Sequence, residues 1–394
     1  MKSKSDHSAL QPFGSLPNLR LAAAVSLADS PGFFQPLGND AILGLSRQGD
    51  RPGFRDLATI QRLTGIRSRL LLQPGITPLR LVQGLWQHLQ QNSGCGMVRC
   101  DQVLLCHSHV DPAAAERLAT AAAGELGLPS DHVQGFNFGC TGFVQLLCEA
   151  AVLFSRHPDI QRIALLTAET PETWHCSADR LFCGIVGAGA TAVLVERAAA
   201  DAPQPAAAFP ATQATGLTGQ LPAWQLAGLA RADLALPIRS ADAPLFSVET
   251  TDAFSFRGEP VRRSVMRMQA EDVFVHGIEL MQLALRGALQ THPSRPGQRV
   301  LVLPHQPSGK LLRAFIAAAH HEFPDCQFLE NLEHHGNCVS CTIPQQLSEL
   351  AEVCRRNSLP PPGPDDLLIA VTAGICMHRR HDHMACGYAL LKPC

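Results

Sequence analysis

An excess of charge of either sign is what this chain most plainly lacks. Its 32 Lys and Arg stand against 34 Asp and Glu, for a formal net charge of −2. That balance provides no electrostatic attraction to nucleic acid or to an anionic membrane. Long hydrophobic runs are missing as well. Nothing reaches the roughly eighteen continuous apolar residues of a membrane span. The apolar stretch Leu21–Ala28 lies too deep behind a polar start containing Pro and Gly to be a signal peptide, and reads as the first strand. Cysteine is plentiful, at fourteen residues, but zinc-type spacing is scarce. Cys338 and Cys341 are spaced C-x-x-C with no second such pair, which argues against zinc or redox use. Cys106, Cys148 and Cys354 fall at core-like positions of apparent strands and helices. Reduced, buried thiols in a cytoplasmic protein are therefore expected. A content of 46% hydrophobic and 17% charged residues is that of a globular soluble protein with ample surface to bury.

What the chain does have is a repeat. Arg99–Ala123, RCDQVLLCHSHVDPAAAERLATAAA, and Pro296–His320, PGQRVLVLPHQPSGKLLRAFIAAAH, each read as an apolar strand, a polar turn and an alanine-rich amphipathic helix. They align at a constant offset of 197, which also carries Cys140 onto Asn337. Arg162–Thr170 resembles Asp366–Gly374, and Gly189–Glu196 resembles Cys386–Pro393. Self-similarity over this length means two fused copies of one α/β unit. Catalytic groups then converge where the halves meet.

The spacing predicts a polar, loose extension over 1–20 and a first half over 21–200. Strands near Gln102–Cys106 and Arg162–Thr167 alternate there with helices near Ala113–Leu126 and Thr141–Arg156. This is the order of an open parallel sheet covered on both faces. The Ala-, Pro- and Gln-rich stretch 201–243 reads as an inserted linker or excursion, irregular in part. A second half follows over 244–394, with a long helix near Ala270–Thr291, another near Pro344–Arg356, and two closing strands interrupted by Met377–Met384.

Chemistry concentrates at a few places. In GFNFGCTGFVQLLC, Cys140 follows a glycine-containing extended stretch and directly precedes a helix. A thiol there faces unpaired helix N–H groups and the positive end of the dipole, which favours thiolate. Its neighbours Gly139 and Gly142 leave room for a substrate carbonyl. His305 ends the apolar strand Val300–Leu303 after Pro304, and ligands bind at the carboxyl ends of strands in open sheets. A Cys, a His and an Asn or Gln in one pocket supply a nucleophile, a proton-handling group and a neutral hydrogen-bond donor. His320, His321, His334 and His335 read as satisfied or solvent-facing residues.

Several motifs in order resemble a known family: LTGIRSR at Leu63–Arg69, FGCTGF around Cys140, GAGATAVL at Gly187–Leu194, MQAEDVFVHGIEL at Met268–Leu280, PHQ at Pro304–Gln306 and HGNCVSCTIPQQL at His335–Leu347. Together they look like those of β-ketoacyl-acyl carrier protein synthase III, of the thiolase superfamily, over most of Leu21–Pro393. The resemblance implies an α/β, thiolase-like fold with two pseudo-symmetric halves in an αβαβα arrangement. It also implies a catalytic triad of Cys140, His305 and Asn337, an oxyanion hole from the N–H groups of Cys140 and Gly374, and no cofactor beyond an acyl-coenzyme A or acyl-carrier-protein substrate. A homodimer, or a heterodimer with a homologue, is expected.

Departures from that pattern shape the rest. Where the family often carries a tryptophan and an arginine before TGIR, this chain has TIQRL at Thr59–Leu63, so stacking of a nucleotide is not expected. In HQPSGK the family's usual asparagine is replaced. Lys310 and Arg313, with Arg67 of the TGIR-type motif, stand as contacts to phosphopantetheine or an acidic carrier protein, or else as solvated charges on a helix face. The acidic residue usual before GAGA is Val186, and the glycine run serves close packing and does not bind phosphate. Cys376–Cys386, CMHRRHDHMAC, replaces a tight turn with a loop carrying His378, His381 and His383. Without standard zinc spacing it reads as a solvated loop or an acyl-pocket lid in preference to a metal site.

The reading is an enzyme acylated on Cys140 by a thioester, which condenses that acyl group with a malonyl-type thioester in fatty-acid-like or secondary-metabolite biosynthesis. One alternative is an acyltransferase of the same fold that delivers to an oxygen, nitrogen or non-malonyl carbon nucleophile. Another is a non-catalytic partner subunit.

Overall fold

The computed structural model describes residues 10–48, 52–92, 99–198, 223–236, 244–255, 259–378 and 383–394. Short apolar runs rich in Val, Leu and Ala, buried on both faces, form the central strands. In the first half these are β1 (Leu19–Ser26), β2 (Gln102–Cys106), β3 (Val133–Phe136), β4 (Arg162–Glu169) and β5 (Gly189–Arg197). The second half supplies β6 (Trp224–Ala235), β7 (Val300–Pro304), β8 (Cys326–Phe328), β9 (Leu367–Ile375) and β10 (His383–Pro393). The first five lie in the order β3-β2-β4-β5-β1 and the second five in the order β8-β7-β9-β10-β6, which is the same arrangement twice. The units join edge to edge where Arg20 pairs with Gln225 and Leu21 with Trp224.

Three layers of helices enclose these two five-stranded sheets, which the Arg20–Gln225 and Leu21–Trp224 pairs splice into one continuous array. Pro78–Asn92 and Ala114–Leu126 cover the outer face of the first, with Leu85 and Leu118 packed on Leu105 and Leu166. Ala270–Thr291 and Gly309–Glu322 cover the second, with Leu285 and Phe315 on Val302 and Ile369. Between the sheets lie Gly142–Arg156, Thr342–Ser348 and Leu350–Arg356, whose Leu146, Leu147, Ile343 and Val353 share one core with Leu104 and Leu301. The architecture is thus αβαβα and thiolase-like. No helix among the described residues is long and apolar enough to cross a membrane.

Several expectations change. The sheets are mixed and not parallel throughout: β2 runs parallel to β3 and β4, and β7 to β8 and β9, but β5 and β10 return antiparallel. The seven residues between β9 and β10 are too few for the crossover a parallel return needs. The stretch 201–243, expected to be a linker or excursion irregular in part, contains β6, a twelve-residue strand at the join between the units. Its sequence WQLAGLARADLA has no β-branched residue to announce it; residues 199–222 and 237–243 lie outside the described residues. Within the extension expected to be loose, Gln11–Pro12 pairs with β6 and Leu10 packs on the second core. The expected helix near Pro344–Arg356 is two helices, Thr342–Ser348 and Leu350–Arg356, meeting at Glu349. A hairpin of Phe246–Phe254 and Pro260–Met268, not anticipated, buries Phe246 and Met266 against Trp174 and Ile375.

Candidate active site

Cys140 and Asn337 are built by the same local device. Each follows a glycine with left-handed backbone, φ +61° at Gly139 and +69° at Gly336. A Cβ at Gly139 would come within 2.9 Å of the Ile375 carbonyl oxygen, and one at Gly336 within 2.8 Å of that of Ile185, so both the conformation and the space demand glycine. One 3₁₀ turn, Gly139–Thr141, starts at the first glycine and contains Cys140; another, Val339–Cys341, starts just after Asn337 and Cys338. Val339 holds φ 52°, costly for a β-branched side chain, and its N–H donates to Asn337 Oδ1 at 2.9 Å. Asn337 Nδ2 donates to the Pro307 carbonyl at 3.4 Å.

His305 stands where β7 ends. Its N–H donates to the Val371 carbonyl at 2.8 Å, which fixes it to β9, and it is 1% exposed. Neither ring nitrogen has a hydrogen-bond partner among the described residues. Burial pulls its pKa down to about 3, so the imidazole is neutral. Gly374 of β9 lies against the nucleophile, since a Cβ there would meet Cys140 Cβ at 2.5 Å. Cys140, His305, Asn337 and Gly374 therefore line one cavity of ≈ 220 Å³. The rest of its wall is largely apolar, including Phe182, Met266, Phe274, Met281 and Ile375.

The expected helix-start activation of the thiol needs correction. Cys140 sits inside the 3₁₀ turn Gly139–Thr141, and the helix begins just beyond that turn, at Gly142. Burial first, and the nearby Glu169 second, push the Cys140 thiol up to about 12. Cys148 and Cys338 are likewise raised to about 12 by burial. Access, and not intrinsic acidity, sets Cys140 apart: among the described residues it is the one cysteine that lines the cavity. Reaction then requires proton transfer as the sulfur attacks, and neutral His305 shares that cavity.

Glu169, which sequence reasoning missed, is a fully buried carboxyl behind the thiol. Its Oε1 accepts from Ser108 Oγ at 2.7 Å and from Ser340 Oγ, and its Oε2 accepts from the Ser108 N–H at 3.2 Å. Burial outweighs these bonds and lifts its pKa to about 7. The network ties the ends of β2 and β4 to the turn after Asn337, and so links the halves. No local pattern marks Glu169; only its place at the carboxyl end of β4 could have pointed to it.

The basic residues separate. Lys310 lines a shallower cleft of ≈ 430 Å³ that shares Ile185, Ala270, Phe274 and Ser308 with the cavity. Its Nζ sits 5.1 Å from the centre of the Phe274 ring, and Arg180, not singled out from sequence, lines the same cleft. Arg313 lines a neighbouring cleft and donates to the Arg62 carbonyl at 3.0 Å, and Arg67 forms an ion pair with Glu333 beside it. Only Lys310 of the three expected contacts stands at the cavity mouth. In the His- and Cys-containing loop, Met377 and Met384 line the cavity, while Cys376 Sγ donates to Asp233 Oδ1 at 3.7 Å. His378 meets the Phe138 ring edge-on, and His381 falls outside the described residues.

No family model matches the chain. It is 25% identical over 292 residues to a β-ketoacyl-[acyl-carrier-protein] synthase III from Cereibacter sphaeroides, covering 73% of this chain and 80% of that protein. A solved structure of a 3-oxoacyl-(acyl-carrier-protein) synthase III superposes with TM-score 0.65 at 20% identity, over 95% of this chain and 100% of the other. The priming β-ketosynthase of a polyketide biosynthetic pathway superposes with TM-score 0.67 at 18% identity, over 97% and 98%. These structural likenesses concern the fold.

Proposed function

Because this chain is β-ketoacyl-acyl carrier protein synthase III-like in sequence and thiolase-like in fold, we propose that it is a condensing enzyme acylated on Cys140. The observation that carries the reading is the meeting of Cys140, His305, Asn337 and Gly374 in one cavity, with both nitrogens of the buried imidazole unpartnered among the described residues. In the first half-reaction Cys140 Sγ attacks the thioester carbonyl. The N–H groups of Cys140 and Gly374 hold the oxyanion, and the donor thiol departs with the proton that Sγ gives up. A malonyl-type thioester then loses its carboxylate as carbon dioxide, leaving the electron pair as an enolate. His305 and Asn337 donate hydrogen bonds to the enolate oxygen. Two neutral donors suit that charge, which a nearby carboxylate would oppose. Attack on the acyl carbon forms the new C–C bond, and cleavage of the C–S bond returns the electron pair to Sγ.

Lys310 and Arg180 at the mouth fit the phosphate of a phosphopantetheine arm, which both a carrier protein and coenzyme A present. Asn337→Ala is the test that separates the half-reactions. The variant should still acquire an acyl group from a thioester but lose condensation by about 10²–10³-fold, the usual cost of one preorganised donor. Acylation by mass spectrometry, together with malonyl-dependent release of carbon dioxide, reads both steps. An Asn337→Ala enzyme that condenses normally contradicts the mechanism. Turnover without release of carbon dioxide would make the enzyme an acyltransferase to another nucleophile.

A further inference from the structure

The proposed mechanism leaves unused two polar side chains in the cavity wall. His175 is 1% exposed and Trp174 is 3% exposed. Both line the cavity that holds Cys140. His175 Nδ1, His175 Nε2 and Trp174 Nε1 are all buried without a hydrogen-bond partner among the described residues. A buried donor or acceptor left unpaired keeps the full cost of its lost hydration, so three such atoms on adjacent residues are not neutral filling for an apolar pocket. The rings are also held in place. His175 stacks on Phe182 with centroids 3.9 Å apart, lies 3.8 Å from the Trp174 ring, and is clamped between the two. The Trp174 carbonyl accepts from the Met266 N–H at 3.3 Å, which pins the segment to the hairpin. Around them the wall is apolar, with Met266, Ile375, Met377 and Val186 in the same cluster as Trp174 and Phe182. Burial, aided by the nearby Arg263 cation, holds the His175 pKa well below its usual value. The neutral ring therefore offers one N–H and one lone pair, and the indole adds a second N–H.

Resting on the proposed acylation of Cys140, we infer that His175 and Trp174 are specificity residues that recognise a hydroxyl group carried on the acyl chain. A hydroxyl donates one hydrogen bond and accepts others, which satisfies the imidazole lone pair and an N–H together. A keto oxygen only accepts and leaves the imidazole lone pair orphaned. A plain alkyl chain leaves all three atoms unpaired, and a site with unpaired buried polar groups discriminates against such an analogue.

The test is competition among matched acyl thioesters of equal chain length: one unsubstituted, one keto-substituted, and a set with the hydroxyl at successive positions from the β-carbon outward. Adducts on Cys140 are quantified by mass spectrometry. The intact protein should prefer one hydroxylated donor over its unsubstituted match by about tenfold or more. His175→Phe and Trp174→Phe should each shrink that preference, read as the ratio of hydroxylated to unsubstituted adduct formed on Cys140 in one mixture. His175→Gln, which keeps a donor and an acceptor, should retain part of it. An intact protein that takes the unsubstituted chain as readily as every hydroxylated one overturns the inference without need of any variant. A preference that survives both substitutions removes its assignment to this pair, and a preference for the keto donor overturns the choice of hydroxyl. Failure of every donor to acylate Cys140 overturns the proposed function and this inference together.

Discussion

Glu169 shows how a single side chain can couple the site to pH. Its carboxyl is held up to about 7 because burial disfavours the charge. A group raised in the folded state contributes stability that is complete below its ordinary pKa and is lost as pH rises through the folded value, at about 1.4 kcal/mol for each pH unit between the two. Stability should therefore fall as pH rises from the ordinary carboxylate range to about 7 and level off above it, and Glu169→Gln, neutral throughout, should remove that part of the fall. Melting temperatures of both proteins at about pH 5 and about pH 8 check this, with the variant gaining relative to the intact protein at the higher pH. Parallel profiles would show that Glu169 is not the group responsible. The meeting of Cys140, His305 and Asn337 was legible in sequence, because one constant offset and several ordered motifs mark their places. Glu169, Trp174 and His175 were not legible. What makes them notable is burial and the presence or lack of partners, which appear only when distant segments pack.

Among the elements, strand β9, the loop after it and strand β10 shape the nucleophile's surroundings most. Gly374 abuts Cys140, and Met377 and Met384 line the cavity from the two ends of the loop. Residues 379–382 lie outside the described residues. Replacing Met377–Met384 with a short Gly-containing turn should change acyl-chain preference while Cys140 still accepts a small acyl group. Unchanged preference in the acylation assay would show that the loop does not bound the pocket. The repeated strand-helix units were readable because their apolar strands and alanine-rich helices each have a clean period. Strand β6 was not, since alanine and glycine fill WQLAGLARADLA where Val or Ile would signal a strand. The Phe246–Met268 hairpin eluded sequence reading for another reason. Its partial burial comes from contacts with Trp174 and Ile375, far away in the chain.

For the whole molecule, two five-stranded units of identical order place their matched glycine-led turns side by side. A Cβ on Gly142 would meet Ser340 at 2.5 Å, which measures how closely the two turns approach. Cys140 follows Gly139 in one unit and Asn337 follows Gly336 in the other, so the repeated arrangement sets a nucleophile beside a neutral donor. The central claim is that this Cys140 carries the acyl group. The most direct measurement is peptide mapping by mass spectrometry after brief exposure of the intact protein to an acyl thioester. A single adduct on the peptide containing Cys140, absent from Cys140→Ala, is the predicted result; labelling predominantly at Cys338 or Cys386, or no adduct at all, would contradict it.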